Sequence, residues 1–281
     1  MSLGIIFKGP EGIVLAADSR VTLNRQILHP SGQILVLPSA FDNATTLLQI
    51  AGQKYVGAIT FGLGAIGGNE PRTAHSFISE FEAELKDSHP ERMKVEEFAN
   101  VLGDFFMRQW TKYDMPEPAQ YAGEPMIFFV AGYNDGAAYG EVYEILIPYR
   151  PKALEQMPKD FGASWGGQRE FVDRLINGFD STLIEIAKTK LNLDETAASS
   201  LTDELKQNLS IPIPYQFLPL QDCVDLSIFL IRATISLQTW TVGIRGVGGA
   251  IDVATITKTE GFKAVQQKQI SGERIQGKGT I

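Results

Sequence analysis

Three glycines, Gly62, Gly64 and Gly67, have the G-x-G-x-x-G spacing of a phosphate-binding turn. They stand between a strand pattern and a helix pattern, where glycines let a backbone approach a pyrophosphate at a helix N-terminus. Such a turn needs a parallel strand–helix–strand unit. Here two helical patterns follow in succession and the preceding strands are expected to form hairpins, so dinucleotide binding is a remote alternative.

Other reactive side chains are sparse. The single cysteine, Cys223, cannot form an internal disulfide and adjoins an apolar run at 224–230, so we expect an inert core thiol. The histidines His29, His75 and His89 are too scattered to indicate a metal site. We therefore expect neither a metal nor a cofactor.

The composition is that of an ordinary soluble protein. The 281 residues are 44% hydrophobic and 21% charged, with a formal net charge of -8, which argues against a nucleic-acid-binding surface. Because the sequence shows neither a secretory leader nor a long apolar span, we expect no membrane insertion and a cytoplasmic location.

The spacing of apolar residues predicts strands and helices in alternating groups. Apolar runs at 3–8 and 13–17 flank a Gly-Pro-Glu-Gly turn and predict a β-hairpin. By the same reasoning, further strands are predicted at 33–37, 46–50, 54–61, 125–130, 141–148, 251–257 and 261–266, and helices at 73–85, 95–110, 168–176, 181–191 and 221–237.

This order predicts a single domain spanning residues 1–281. Antiparallel hairpins and consecutive helices indicate two stacked sheets covered on both outer faces, an α+β arrangement. Residues 192–218, marked by Pro212 and Pro214, are interpreted as an insertion. Residues 271–281 lack apolar periodicity and are expected to fray.

Two distant strings carry a resemblance to a known family. Residues 12–22 read GIVLAADSRVT, and residues 248–257 read GGAIDVATIT and are followed by Glu-Gly-Phe at 260–262. Both resemble strings of proteasome β-type subunits, in the N-terminal-nucleophile hydrolase superfamily. Weaker similarity at 55–62 and 224–235 extends the resemblance over nearly the whole chain. It implies the four-layer αββα sandwich of that superfamily.

The resemblance also implies a reaction. In that family an N-terminal Thr, Ser or Cys attacks an amide carbonyl, and its free α-amine acts as the base. Counting back from Asp18 without gaps places Ser2 at the nucleophile position once Met1 is removed, whereas an alignment based on residues 7–8 leaves no nucleophile. Asp18 matches the family's acidic residue. Gly62 matches the glycine whose backbone N–H stabilises the oxyanion, although a tight turn alone would also require glycine.

The sequence departs from the family pattern at the lysine that the acidic residue orients. Alternative alignments place Ile34 or Thr46 at its position, and residues 9–53 contain no lysine. The positions of the family's polar helper residues are also occupied by non-polar residues, namely Gly167, Ile244 and Val247.

The resemblance implies a ring-forming, proteasome-β-like subunit that acts on a peptide substrate, and these departures predict that its peptidase activity is weak or absent. An active peptidase or amidase using Ser2 is the alternative. Without the lysine, we expect Asp18 to pair with Arg20, a backbone donor or the α-ammonium of Ser2. A homo-oligomer also follows from apolar helix residues in excess of what one face needs, namely Phe77, Phe81, Phe105 and Phe106.

Overall fold

The computed structural model describes residues 2–28, 31–68, 70–89 and 91–269. Within these ranges the chain is a mixed α/β protein with twelve β-strands and six α-helices. Short 3-10 helices lie at Ala74–Phe77 and Tyr215–Phe217.

Strands and helices alternate in groups along the chain. The strands are β1 (Leu3–Lys8), β2 (Ile13–Asp18), β3 (Val21–Leu28), β4 (Ile34–Phe41), β5 (Leu47–Gln49), β6 (Val56–Gly62), β7 (Met126–Gly132), β8 (Glu141–Ile147), β9 (Arg150–Gln156), β10 (Gly162–Gly167), β11 (Ile251–Thr257) and β12 (Gly261–Gln266). The helices are α1 (Ile78–Ser88), α2 (Val95–Lys112), α3 (Glu170–Ile176), α4 (Ser181–Leu191), α5 (Glu195–Leu209) and α6 (Leu220–Trp240).

The strands form three antiparallel sheets. The first sheet has the order β10-β1-β2-β11-β12, and the second has the order β5-β6-β7-β8-β9. Strands β3 and β4 pair only with each other, as a two-stranded ribbon. Among the described strands, the first and the last therefore lie in one sheet, with β2 hydrogen-bonded to both β1 and β11.

Apolar clusters hold the two larger sheets together. One cluster takes side chains from both sheets, including Ile6 and Leu15 from the first and Ile59 and Phe129 from the second. A second cluster packs α1 and α2 against the second sheet, and a third packs α3 and α6 against the first sheet. Strands β1 and β2 are buried along their whole length, which explains why both read as continuous apolar runs rather than alternating ones.

Several predicted elements are confirmed. The first hairpin, the closing pair β11–β12, the hairpin β7–β8 and the long helices lie within a few residues of their predicted positions. Six residues predicted to lie near one another occupy the adjacent strands β1, β2 and β11: Leu3, Ile5, Val14, Ala16, Val253 and Thr255.

Other predictions were wrong. Strand β3 was missed because its apolar residues are interrupted by Asn24, Arg25 and Gln26, and β4 pairs with it rather than with the strands that follow. Strands β9 and β10 were also missed. The four phenylalanines interpreted as surplus for assembly are buried in the core beneath α1 and α2, namely Phe77, Phe81, Phe105 and Phe106.

The predicted insertion at 192–218 contains a complete helix, α5. Its polar sequence concealed it, but Asp194 caps its N-terminus by accepting a hydrogen bond from Ala197 N. The predicted frayed tail at 271–281 lies outside the described residues. Among the helices described, none combines the length and the apolar character needed to cross a membrane.

Candidate active site

Asp18 joins three separate parts of the chain at the end of β2. Its side chain is completely buried. Its Oδ1 accepts a hydrogen bond from Leu3 N at 2.8 Å, and its Oδ2 accepts from Gly248 N at 2.7 Å and from Arg20 N at 3.2 Å. One carboxylate therefore binds the start of β1, the exit from β2 and the loop that leads into β11.

Burial and hydrogen bonding act on Asp18 in opposite directions. Removal from water disfavours the charged carboxylate, whereas the three amide donors favour it. Burial is the stronger effect and raises the pKa of Asp18 to about 7. The guanidinium of Arg20 donates hydrogen bonds to Asp42 rather than to the Asp18 side chain, with an Nε–Oδ1 distance of 2.5 Å. Of the partners expected for Asp18, the structure shows backbone donors.

Ser2 lies directly before β1, next to residues at the end of β6 in the second sheet. Its side chain is buried, and its carbonyl oxygen accepts a hydrogen bond from Gln168 N at 3.0 Å. It lines a narrow cavity of about 30 Å³ together with Thr46, Thr60 and Gly62 from the second-sheet side. A cavity of this size holds roughly one or two water molecules and is too small for a peptide. The nucleophile predicted from the sequence is thus close to Gly62 but tightly enclosed.

The two alternative positions of the missing lysine differ in their surroundings. Thr46 is buried immediately before β5, and its Oγ1 donates a hydrogen bond to the carbonyl oxygen of Asp18 at 2.9 Å. The backbone of Ile34 is opposite Leu28 in the separate ribbon, and its side chain lies outside the described part of the structure. Thr46 is the position that borders the site.

Gly62 is required by the backbone. Its φ is +82°, and a Cβ added there would lie 2.3 Å from the carbonyl oxygen of Pro125. The hydrogen bonds of Leu63 N to Pro125 O and of Thr60 N to Thr46 O fix which peptide groups face each neighbouring strand. Successive N–H groups of a strand in an antiparallel ladder face opposite neighbouring strands. The N–H of Gly62 therefore faces the same side as the N–H of Thr60, away from β7. At this level β5 has not yet begun, because it starts after Thr46. The same glycine can therefore serve both the turn and the cavity.

The helper positions carry no acid or base. Gly167 has a φ of +85°, and a Cβ there would lie 1.9 Å from the carbonyl oxygen of Ser2, so no side chain fits. Val247 is buried and donates its N–H to Gln238 Oε1, whereas Ile244 is exposed.

The Gly62–Gly67 segment lacks the surroundings of a dinucleotide-binding turn. Strand β6 is antiparallel to both β5 and β7. After the segment the chain makes an isolated bridge between Ile66 and Arg72 before any helix begins. A Cβ on Gly64 would meet Val21 Cγ2 at 2.3 Å, so this glycine serves packing. Nothing in this geometry supports nucleotide binding.

Cys223 is buried in the core, as predicted. Burial raises the pKa of its thiol to about 11, which leaves little thiolate at neutral pH. In the part of the chain that the structure describes, no group of three or more His, Cys, Asp or Glu side chains is placed to hold a metal ion.

Sequence reasoning did not identify Gly248 as a partner of Asp18. The two residues are 230 positions apart, and the donor is a backbone N–H that no residue type reveals. The only available signal was the Gly-Gly pair at 248–249, which was recognised as part of a family string but not as a ligand of the carboxylate.

Comparison with known proteins gave no support for a family. No protein-family model matches the chain, and no curated protein matches it. The resemblance to proteasome β-type subunits therefore stays a prediction.

The raised pKa of Asp18 predicts a specific pH dependence of stability. Because the pKa is higher in the folded protein than in the unfolded chain, Asp18 contributes stability below its unfolded pKa, and this contribution is lost as the pH rises through about 7. The free energy of unfolding of the wild type, minus that of Asp18→Asn, should therefore fall between about pH 4 and about pH 7. Urea titrations at a series of pH values measure this difference.

Asp42→Asn provides a control of opposite sign. The hydrogen bond from Arg20 lowers the pKa of Asp42, so the stability that Asp42 contributes should be lost as the pH falls. Parallel pH profiles for the wild type and Asp18→Asn between pH 5 and pH 8 would show that the Asp18 pKa is not raised.

Proposed function

We propose that this protein is a proteasome-β-like subunit of the N-terminal-nucleophile hydrolase type, with Ser2 as a nucleophile of low reactivity. The observation that carries the proposal is the meeting of Ser2 and Gly62 at one cavity beside Asp18. Ser2 comes from the start of the first sheet, and Gly62 comes from the end of a strand in the second.

The arrangement of the apolar clusters supports the fold implied by this proposal. Each five-stranded sheet contacts the other through one cluster and contacts helices through another. We interpret these contacts as the four-layer αββα sandwich, with the antiparallel ribbon of β3 and β4 as an addition to it.

The proposed chemistry is attack of Ser2 Oγ on an amide carbonyl. Removal of whatever precedes Ser2 would leave a free α-amine to accept the hydroxyl proton, directly or through water. The N–H of Gly62 would donate a hydrogen bond to the oxyanion that forms. The C–N bond of the amide would then break as the same α-ammonium returns the proton to the leaving amine. Water would hydrolyse the resulting acyl ester of Ser2, which releases the acid and restores the hydroxyl.

The surroundings of Ser2 support a low rate. Thr46 supplies a hydroxyl where the resemblance implies a lysine, and the oxygens of Asp18 are already bound to backbone amides. A single acid–base group contributes roughly 10²- to 10⁴-fold to a rate. The narrow cavity would also have to widen before a peptide could reach Ser2.

We therefore expect the unmodified protein to hydrolyse fluorogenic peptides slowly, and Thr46→Lys to raise the rate at least about tenfold by providing the missing cation. Labelling of Ser2 by an electrophile that captures both its hydroxyl and its amine should rise in parallel, as measured by mass spectrometry.

Thr45→Lys is the matched control, because it adds the same charge one residue away on the same cavity. Ser2→Ala in either background should abolish the hydrolysis. Rapid hydrolysis by the unmodified protein that is lost in Ser2→Ala would overturn the proposal of low reactivity and favour an active N-terminal serine hydrolase.

Assembly into a ring of identical subunits is part of the proposal. Large apolar side chains are exposed along and just after α6, namely Phe229, Leu237, Trp240, Val242 and Ile244. A contiguous patch of exposed apolar side chains is typical of a protein–protein contact, and we propose that these residues form one. They replace the buried phenylalanines as the structural support for oligomerisation.

We expect light scattering at micromolar concentration to report a homo-oligomer, and Trp240→Asp to reduce its mass by placing a charge in the contact. Tyr139→Asp, at an exposed aromatic residue in the β7–β8 connection, is the control. A strict monomer for the unmodified protein would contradict the ring.

A further inference from the structure

A second buried ionic cluster lies on the other side of β2 from Ser2. It consists of Asp252 in β11, Lys268 just after β12, and Ser19. The Nζ of Lys268 lies 2.5 Å from Asp252 Oδ2, and the backbone N–H of Lys268 donates to Asp252 Oδ1 at 3.0 Å. Asp252 is completely buried, so Lys268 neutralises a charge that has no access to water.

Lys268 also holds Ser19. Its Nζ donates a hydrogen bond to Ser19 Oγ at 3.1 Å, and that hydroxyl lies 3.4 Å from Asp252 Oδ2. Ser19 is itself completely buried. Removing one partner of such an ion pair leaves an uncompensated buried charge, so Asp252 depends on Lys268.

Ser19 connects this cluster to the candidate active site. It follows Asp18 directly, and its N–H donates to Gly248 O at 3.1 Å, while Gly248 N donates to Asp18. Its carbonyl oxygen accepts a hydrogen bond from Ala44 N at 2.9 Å, and Ala44 lines the cavity of Ser2. Lys268 therefore fixes the residue through which Asp18, Gly248 and the cavity wall are joined.

The strand register places the cluster and Ser2 on the same face of the first sheet. The last pair of the β1–β2 ladder is Gly4 with Ala17, and Ala17 is also opposite Asp252. Side chains alternate along a strand, so Ser2 and Ser19, each two residues beyond that pair, share its face. Adjacent strands lie roughly 5 Å apart. The partly buried ion pair of Lys268 and Asp252 thus lies on the face that carries the Ser2 hydroxyl.

We infer that Lys268 is a positioning residue of the Ser2 site. It holds Ser19 and the residues hydrogen-bonded to Ser19 in place, and it neutralises Asp252 on the face of the sheet where Ser2 reacts. This inference rests on the proposed function of Ser2. Its physical consequence concerns the free α-amine. The carboxylate of Asp252 alone would favour the ammonium form, and Lys268 cancels this effect, which leaves more of the amine available as a base.

The test uses the full chain prepared with Ser2 as its first residue and compares the wild type with Lys268→Met. The pKa of the α-amine is measured by the pH dependence of its reductive methylation, which requires no hydrolase activity. We expect Lys268→Met to raise this pKa by about 0.5 to 1 unit. Hydrogen exchange at the amides of Ser19, Ala44 and Gly248 should become at least about tenfold faster, because Lys268 no longer holds Ser19 in place.

Two variants separate the charge from general structure. Lys268→Arg keeps the positive charge and should restore most of the wild-type pKa, whereas Lys263→Met removes an exposed lysine of β12 and should change neither quantity. If Lys268→Met does not fold, Asp252→Asn combined with Lys268→Met removes both charges. That double variant should keep the fast exchange and show an α-amine pKa close to that of the wild type.

An unchanged α-amine pKa together with unchanged exchange in Lys268→Met would overturn the inference, as would wild-type exchange in the double variant. Failure of the proposed function gives a different result. In that case the wild type would not react with electrophiles at Ser2, while the amine pKa and the exchange rates would still respond to Lys268.

Discussion

The structure of the candidate site depends on one buried carboxylate. Asp18 accepts hydrogen bonds from Leu3, Arg20 and Gly248, and so joins the beginning of the chain to a loop near its end. Leaving the two buried amide donors, Leu3 N and Gly248 N, without an acceptor would cost about 1 to 3 kcal/mol for each of them. The same arrangement buries a charge, and the raised pKa of Asp18 is the consequence.

The position of Ser2 follows from this constraint. Leu3 N is held by Asp18, and the carbonyl oxygen of Ser2 is held by Gln168 N. Both polar groups of the peptide bond between Ser2 and Leu3 are therefore fixed. Gly167 must lack a side chain for β10 to approach this segment. The enclosure that fixes Ser2 also narrows its cavity, so accurate placement and poor access have the same origin.

Much of the fold could be predicted from the sequence because its hairpins and long helices produce local sequence patterns. Turn residues and apolar runs identify the hairpins, and the 3.6-residue period identifies the long helices. Strand β3 could not be found in this way, since its pairing with β4 produces no local apolar pattern. Helix α5 was hidden by its polar composition, and only Ala198 of that helix is buried.

The candidate site was predictable only in part, for a different physical reason. Ser2, Asp18 and Gly62 were located by resemblance, and the absence of a lysine from residues 9–53 could be read directly from the sequence. The partners of Asp18 are backbone amides, which every residue type except proline can provide. Lys268 was missed because it follows β12 and is 249 positions away from Ser19 in the sequence, so only the fold brings the two side chains together.

The central claim is that Ser2 becomes the first residue of the mature protein and presents a free α-amine close to Asp18. The most direct test is intact-mass analysis combined with N-terminal sequencing of the protein purified from its natural source. The account predicts a chain that begins at Ser2 with an unmodified amine. A mature chain that retains residues before Ser2, or carries an acetylated Ser2, would contradict it.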